Sequence, residues 1–107
     1  DATVYLGSDI RGFISMIKYV PGTLATGADL TLTGENSGVP ILTKTNAGTT
    51  DAFFYPRAKI NEVADGSQAD GCEPIPLHKD RIKVVVAQGG DSKAGSIELT
   101  WMEVWYD

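Results

Sequence analysis

Cysteine is nearly missing from this sequence: Cys72 stands alone among 107 residues. A single thiol excludes an internal disulfide, and with it the stapled scaffolds of small secreted domains. Histidine is equally scarce, with His78 the one imidazole. A hydrolytic triad or a zinc site needs an imidazole with partners at ligand spacing, and His78-Lys79-Asp80 offers none. His78 therefore reads as a loop-end histidine ahead of a strand. Cys72 reads as an inert small residue in a loop, with no identifiable base to make it a thiolate.

Basic charge is short as well. Nine Lys and Arg face fourteen Asp and Glu, for a net charge of −5. A duplex-binding protein shows a clustered basic face, so nucleic acid is not expected as a partner. Arg81 and Lys83 alternate along one strand and form only its solvated side. Long apolar runs are absent too: stretches such as Val84 to Ala87 fall far below the ~20 residues a bilayer span requires. No membrane partner is expected. The sequence opens on Asp1 rather than Met, which points to an upstream piece lost or unrecorded, and no signal-like apolar region remains.

What is present speaks of strands and turns. A 42% hydrophobic and 21% charged composition is that of a globular domain, and the length suits one domain over 1–107. No stretch of a dozen residues holds a helical apolar period without a Gly, Pro or Thr cluster breaking it. Thr3 to Leu6 forms a first strand that stops at Gly7-Ser8-Asp9. Ile10 to Val20 forms a second, with Phe13, Ile17 and Tyr19 on one face and Ile14, Met16 and Val20 on the other. Gly12 marks a bulge or a close backbone approach within it.

The segment from Ala28 to Gly34 alternates cleanly, Leu30 and Leu32 against Asp29, Thr31 and Thr33. With the turn at Glu35-Asn36-Ser37-Gly38 and the return from Val39 to Thr45, residues 28–45 read as a hairpin, Pro40 marking an edge or a strand start. Ala52 to Tyr55 makes a short aromatic strand ended by Pro56. Residues 61–76, dense in Asp, Gly and Pro, read as a surface loop of about fifteen residues, a length usually reserved for function or flexibility. Arg81 to Gln88 is a strong strand with Ile82, Val84 and Val86 on one face. Residues 89–95 read as a mobile hairpin tip returning into Ser96 to Tyr106, with Ile97, Leu99 and Trp101 inward. The parity slip that follows predicts a bulge or a changed environment near Trp101–Met102. Seven or eight short strands imply an all-β fold, an antiparallel, jelly-roll-like β-sandwich, with a closed β-barrel as the alternative.

Candidate chemistry fails on spacing. The loop from Asp65 to Glu73 lacks the alternate acids of a calcium loop. Gly89 to Ser96 has neither the lysine placement nor the following helix of a phosphate loop. Glu98 and Glu103 fall on opposite faces by period-two counting, which defeats a glycosidase pair. No catalytic residue, metal or cofactor is expected. The aromatic C-terminus is different: Trp101 reads as core, whereas Trp105 and Tyr106 beside Asp107 are hard to bury in so small a domain. Exposed aromatics mark a protein interface or a sugar platform.

Four segments carry a resemblance. They are Gly12-Phe13-Ile14-Ser15-Met16-Ile17-Lys18-Tyr19-Val20-Pro21, the stretch from Thr26 to Glu35, Tyr55-Pro56-Arg57-Ala58, and Asp80 to Gly90. In this order the chain, from about residue 10 to 100, resembles small structural proteins of tailed bacteriophage and prophage virions. The resemblance implies a non-enzymatic capsid decoration, or cement, protein assembled in the bacterial cytoplasm and resident in the virion. It implies the major capsid protein or other virion proteins as partners, and self-association about a symmetry axis. A head–tail or tail component is the nearest alternative, and a carbohydrate- or receptor-binding β-sandwich stacking sugar on Trp105, Tyr106 and Tyr55 the next. The expected contact surfaces are the 61–76 loop, the 89–95 tip and the C-terminal aromatics, represented by Asp70, Asp91, Lys93, Met102, Trp105 and Tyr106.

Overall fold

β-Branched residues and alternating polarity run through most of the chain, and they form sheet almost everywhere. The computed structural model describes residues 2–90 and 93–104. Strand makes up 65% of it, with no helix, and no helix among the described residues is long and apolar enough to cross a membrane. Seven strands follow in order: β1 (Ala2–Val20), β2 (Asp29–Gly34), β3 (Pro40–Lys44), β4 (Ala52–Phe54), β5 (Arg57–Asn61), β6 (Gln68–Ala87) and β7 (Ser96–Glu103).

Two long strands form the spine. β1 and β6 pair antiparallel from Ala2↔Val86 to Ile14↔Ile75. On its other edge β6 takes β2, and β2 takes β3, which gives the order β3-β2-β6-β1. Further along, β1 runs between β7, from Gly12↔Glu103 to Val20↔Ser96, and the short β4, from Ile17↔Phe54 to Tyr19↔Ala52. The sheet stays open, so the barrel alternative does not hold; it is an antiparallel sandwich. Between its layers lie Ile10, Ile14, Ile17 and Tyr19 of β1, Leu30 and Leu32 of β2, Ile41 of β3, and Ile75, Leu77, Ile82 and Val84 of β6. The alternation read for residues 28–34 and 82–86 is the one that fills this core. The one polar end among these side chains is satisfied, since the Tyr19 hydroxyl donates to the Gly48 carbonyl at 3.0 Å.

Irregularities of register let such long strands bend. Gly7-Ser8-Asp9 does not end a strand, as its turn-like composition suggests. Leu6 pairs with Ile82 and Ile10 with Asp80, so four steps on β1 match two on β6, and Gly7 and Asp9 take φ of 72° and 50°. A second bulge sets Ile14 opposite Trp101 and Met16 opposite Thr100, leaving Ser15 extra on β1. That is the irregularity expected near Trp101–Met102, but the extra residue belongs to the partner strand. It also overturns the face assignment for 13–20, because Ile14, Ile17 and Tyr19 all become buried while Phe13 stays half-exposed. Gly12 is a close approach: a Cβ there would collide with the Met102 carbonyl oxygen.

Two connections differ from expectation. Residues 61–76 are not an irregular loop; β5 and the start of β6 form a two-stranded ribbon, from Arg57↔Pro74 to Asn61↔Gln68, joined by a turn at 62–67. β6 and β7 do not form a hairpin either, although residues 91–92 of the connection between them lie outside the described residues. Both edges of β6 at 82–86 are already occupied by β1 and β2, so the chain cannot return beside β6 and instead crosses to β1. On the way Thr23 donates its N–H to the Ala94 carbonyl at 2.8 Å, and Ala25 to that of Gly89 at 3.0 Å. The ribbon stretches the molecule to 49 × 30 × 20 Å, with a radius of gyration of 14.9 Å. A rounded domain of this length would have about 13 Å.

Candidate functional site: exposed binding surfaces

The ribbon is an arm with no core of its own. Every residue of β5 is exposed, and nearly all of β6 before Pro74 is too. Its tip is ordered from within. Glu62 donates its N–H to Ser67 O (2.7 Å), Gly66 to Glu62 O (2.8 Å), and the Asp65 carboxylate accepts both the Ser67 N–H (2.9 Å) and its hydroxyl (2.7 Å). The Ser67 N–H, then its hydroxyl, holds the Asp65 carboxyl below the usual carboxylate range. At its base, the Arg57 guanidinium donates to the carbonyls of Pro56 (2.7 Å) and of the bulged Ser15 (3.2 Å). The density of Asp, Gly and Ser that suggested a loop is therefore the chemistry of one tight turn.

Apolar side chains on this arm face water. Ile60 is exposed and Val63, at the tip, is 103% exposed. An isolated two-stranded hairpin is marginal in water, and a protruding apolar tip gains stability only against another surface. Cys72 lies on the arm opposite Lys59, exposed, in a strand and not in a loop.

The residues expected to make contacts fall in three elements. Asp70 is exposed on the arm. Met102, 60% exposed, is on β7 opposite Phe13. Lys93 is exposed and lines a groove of about 250 Å³ with Val4, Leu6, Val84, Val86 and Ile97. Asp91, Trp105 and Tyr106 lie outside the described residues.

Trp101 is not core. Its parity is inward, opposite Ile14, yet β7 is an edge strand and, among the described residues, nothing covers its far end, so Trp101 is 40% exposed. With Leu99, Thr100 and Glu103 it lines an open trough of about 310 Å³. Exposed aromatics also gather at β4, where Phe53 and Tyr55 stand two residues apart. The Lys18 ammonium lies 5.7 Å from the Phe53 ring centroid and 3.7 Å from Glu98. Because β7 itself carries no extra residue, Glu98 and Glu103 keep opposite parity. His78 is exposed on β6 opposite Arg11. Among the described residues no group of three or more His, Cys, Asp or Glu is placed to hold a metal ion.

Sequence reasoning missed a buried carboxylate. Asp80 is 3% exposed and accepts hydrogen bonds from the N–H groups of Asn36 (2.9 Å), Ser37 (3.2 Å) and Arg81 (2.8 Å), and from the Ser37 hydroxyl (2.9 Å). Burial alone would raise its pKa, but the bonds from Asn36, Arg81 and Ser37 outweigh that and lower it. This clamp fixes the turn between β2 and β3. It also explains Gly34, whose added Cβ would lie 2.6 Å from the Asp80 carboxylate. On the outer face Arg81 grips Glu35 with two bonds of 2.8 and 2.9 Å and lies 3.9 Å from the Tyr5 ring centroid. The only hint in the sequence was an aspartate immediately ahead of the strong β run that begins at Arg81.

The chain is thus a small antiparallel β-sandwich with a projecting arm. No family model, no curated protein and no solved structure matches it.

Proposed function

We propose that this chain is a non-enzymatic structural protein of a tailed-phage virion, acting as a capsid decoration protein that stabilises the head lattice through protein contacts. The observation that carries the reading is the arm of residues 57–74, ordered at its tip and base yet burying almost nothing in its own chain. Such an element is suited to reach onto a neighbouring subunit and bury Ile60 and Val63 there. The segments that resemble virion proteins form the C-terminal half of β1, β2, the arm's base and the C-terminal half of β6, which are central strands of the sandwich and the arm's anchor.

Purified heads incubated with the protein should bind it saturably, in simple ratio to the icosahedral lattice. Val63→Asp should fold normally and lower that occupancy about tenfold or more, since it places a charge where apolar burial is required. Binding to tails or connectors in place of heads would move the protein to the head–tail or tail position. No binding to any virion part would refute the proposal.

A carbohydrate- or receptor-binding role is the second reading, favoured by exposed Phe53 and Tyr55. It requires retention on immobilised glycans, lost in Tyr55→Ala or Trp105→Ala.

A further inference from the structure

Every sheet edge among the described residues carries protection against pairing except one. β3 begins with Pro40 and ends with Lys44, β5 carries Arg57 and Lys59, β7 carries Glu98 and Glu103, and β4 is only three residues long. Charge, proline and shortness are the usual means by which a strand edge avoids a second chain. The N-terminal part of β1 has none of them. From Ala2 to Ser8 it reads Ala-Thr-Val-Tyr-Leu-Gly-Ser, rich in strand-forming residues and free of charge and proline. Its one strand partner over Ala2–Leu6, among the described residues, is β6. Among the described residues the opposite edge lies open, and alongside it runs the 250 Å³ groove lined by Val4, Leu6, Leu24, Val84, Val86, Lys93 and Ile97.

We propose that two copies of this chain pair through this edge, β1 against β1, antiparallel about a twofold axis at Val4. The inference goes beyond the virion reading and does not depend on it. In that register Val4 meets its own copy, Ala2 faces Leu6 of the second chain and Thr3 faces its Tyr5. Side chains of one parity then match throughout: Ala2, Val4 and Leu6 continue the apolar face that already holds Val84 and Val86, and Thr3 and Tyr5 meet on the other. The sheets become one, in the order β3-β2-β6-β1-β1-β6-β2-β3, and the interface is isologous and closed.

Charge favours this edge over the others. Pairing β5 with its copy about Lys59 would oppose two lysines directly, whereas Ala2–Ser8 of β1 carries no charge to set against its copy. The nearest cations on the joined outer face are Arg81 and Lys83 of β6. They are separated from those of the second copy by three strand spacings, about 14 Å, beyond the Debye length of ~8 Å at physiological salt.

The isolated protein should sediment with twice the single-chain mass at high micromolar concentration and dissociate on dilution. Val4→Lys, at a side chain already 48% exposed, should keep the fold and raise the dissociation constant about tenfold or more. A cross-link tests the register without relying on that variant. In a Cys72→Ser background, Val4→Cys should oxidise to a covalent pair, because directly opposed antiparallel residues lie ~4.5–5.5 Å apart at Cα, within disulfide reach. Phe53→Cys, equally exposed, should not. A single-chain mass at every concentration overturns the proposal. So does a pair that survives Val4→Lys, or a Val4→Cys variant that cross-links no faster than Phe53→Cys. Self-pairing is read on the isolated protein and capsid binding on heads, so the two proposals fail separately.

Discussion

Asp80 on β6 holds Ser37, more than forty residues earlier in the chain, by both its hydroxyl (2.9 Å) and its backbone N–H (3.2 Å). The contact ties the β2–β3 turn to the central strand, and it is made by a carboxylate that water barely reaches. It decides how that end of the sandwich responds to mutation and to acid.

Asp80→Ala should destabilise the fold by about 3 kcal/mol, since it strands the N–H groups of Asn36 and Ser37 near a buried site and removes charge-assisted bonds. Chemical denaturation measures it directly. Amide exchange should rise first at residues 35–39, where the clamp acts.

Acid should undo the same clamp. The folded pKa of Asp80 is lowered, so the unfolded state binds the proton more readily, and the stability it contributes is present above the ordinary carboxylate value of about 4. It is lost as pH falls through the lower, folded value. Glu35, held down first by its hydrogen bonds from Arg81, and Asp65, held down first by the Ser67 N–H, act in the same direction, though both are solvent-screened. The denaturation midpoint should therefore fall between neutral pH and pH ~3, and the fall should be shallower in Asp80→Asn.

Gly12→Ala should be costly at a position that looks permissive. Its φ of 147° disfavours any side chain, and the new methyl would collide with the Met102 carbonyl, so the end of β7 must move. A loss of about 2 kcal/mol or more is expected from strain and overpacking together. Calorimetry supplies the number; exchange of the β7 amides near Met102 shows whether that is where the strand lifts.

Arg57→Ala should free the arm without melting the sandwich. It removes the donor to the bulged Ser15 carbonyl, an exposed contact worth about 1 kcal/mol at most. Exchange at 57–74 should quicken severalfold while the melting temperature moves little. A large drop in melting temperature would mean that the arm and the core unfold together.

Legibility of the sequence tracked burial. Where one face meets the core, as in Leu30-Thr31-Leu32 and Ile82-Lys83-Val84, alternation showed both the strand and its inner face. The arm has no inner face: Arg57-Ala58-Lys59-Ile60-Asn61 alternates, but too briefly to mark a core, and the turn residues of 61–74 dominate the reading. Gly7-Ser8-Asp9 misleads for another reason. A bulge and a turn use the same residue types, and only the pairing partner separates them. β7 lay beyond local inference because its partner was decided by occupancy elsewhere, β6 being already flanked on both sides. Of the expected contact residues, Asp70, Lys93 and Met102 are exposed. The arm's apolar tip, Ile60 and Val63, went unnoticed because isolated aliphatics in a polar stretch carry no periodic signal.

β6 is at once a strand of the arm and the middle strand of the sheet. A pull on the arm along its length therefore enters the sandwich through the backbone of β6, between β1 and β2. The bonds of those ladders lie across the direction of pull, so they share the tension together and do not open one by one. A neighbour grasping the arm would be holding the fold in shear, the geometry in which a sheet is mechanically strongest.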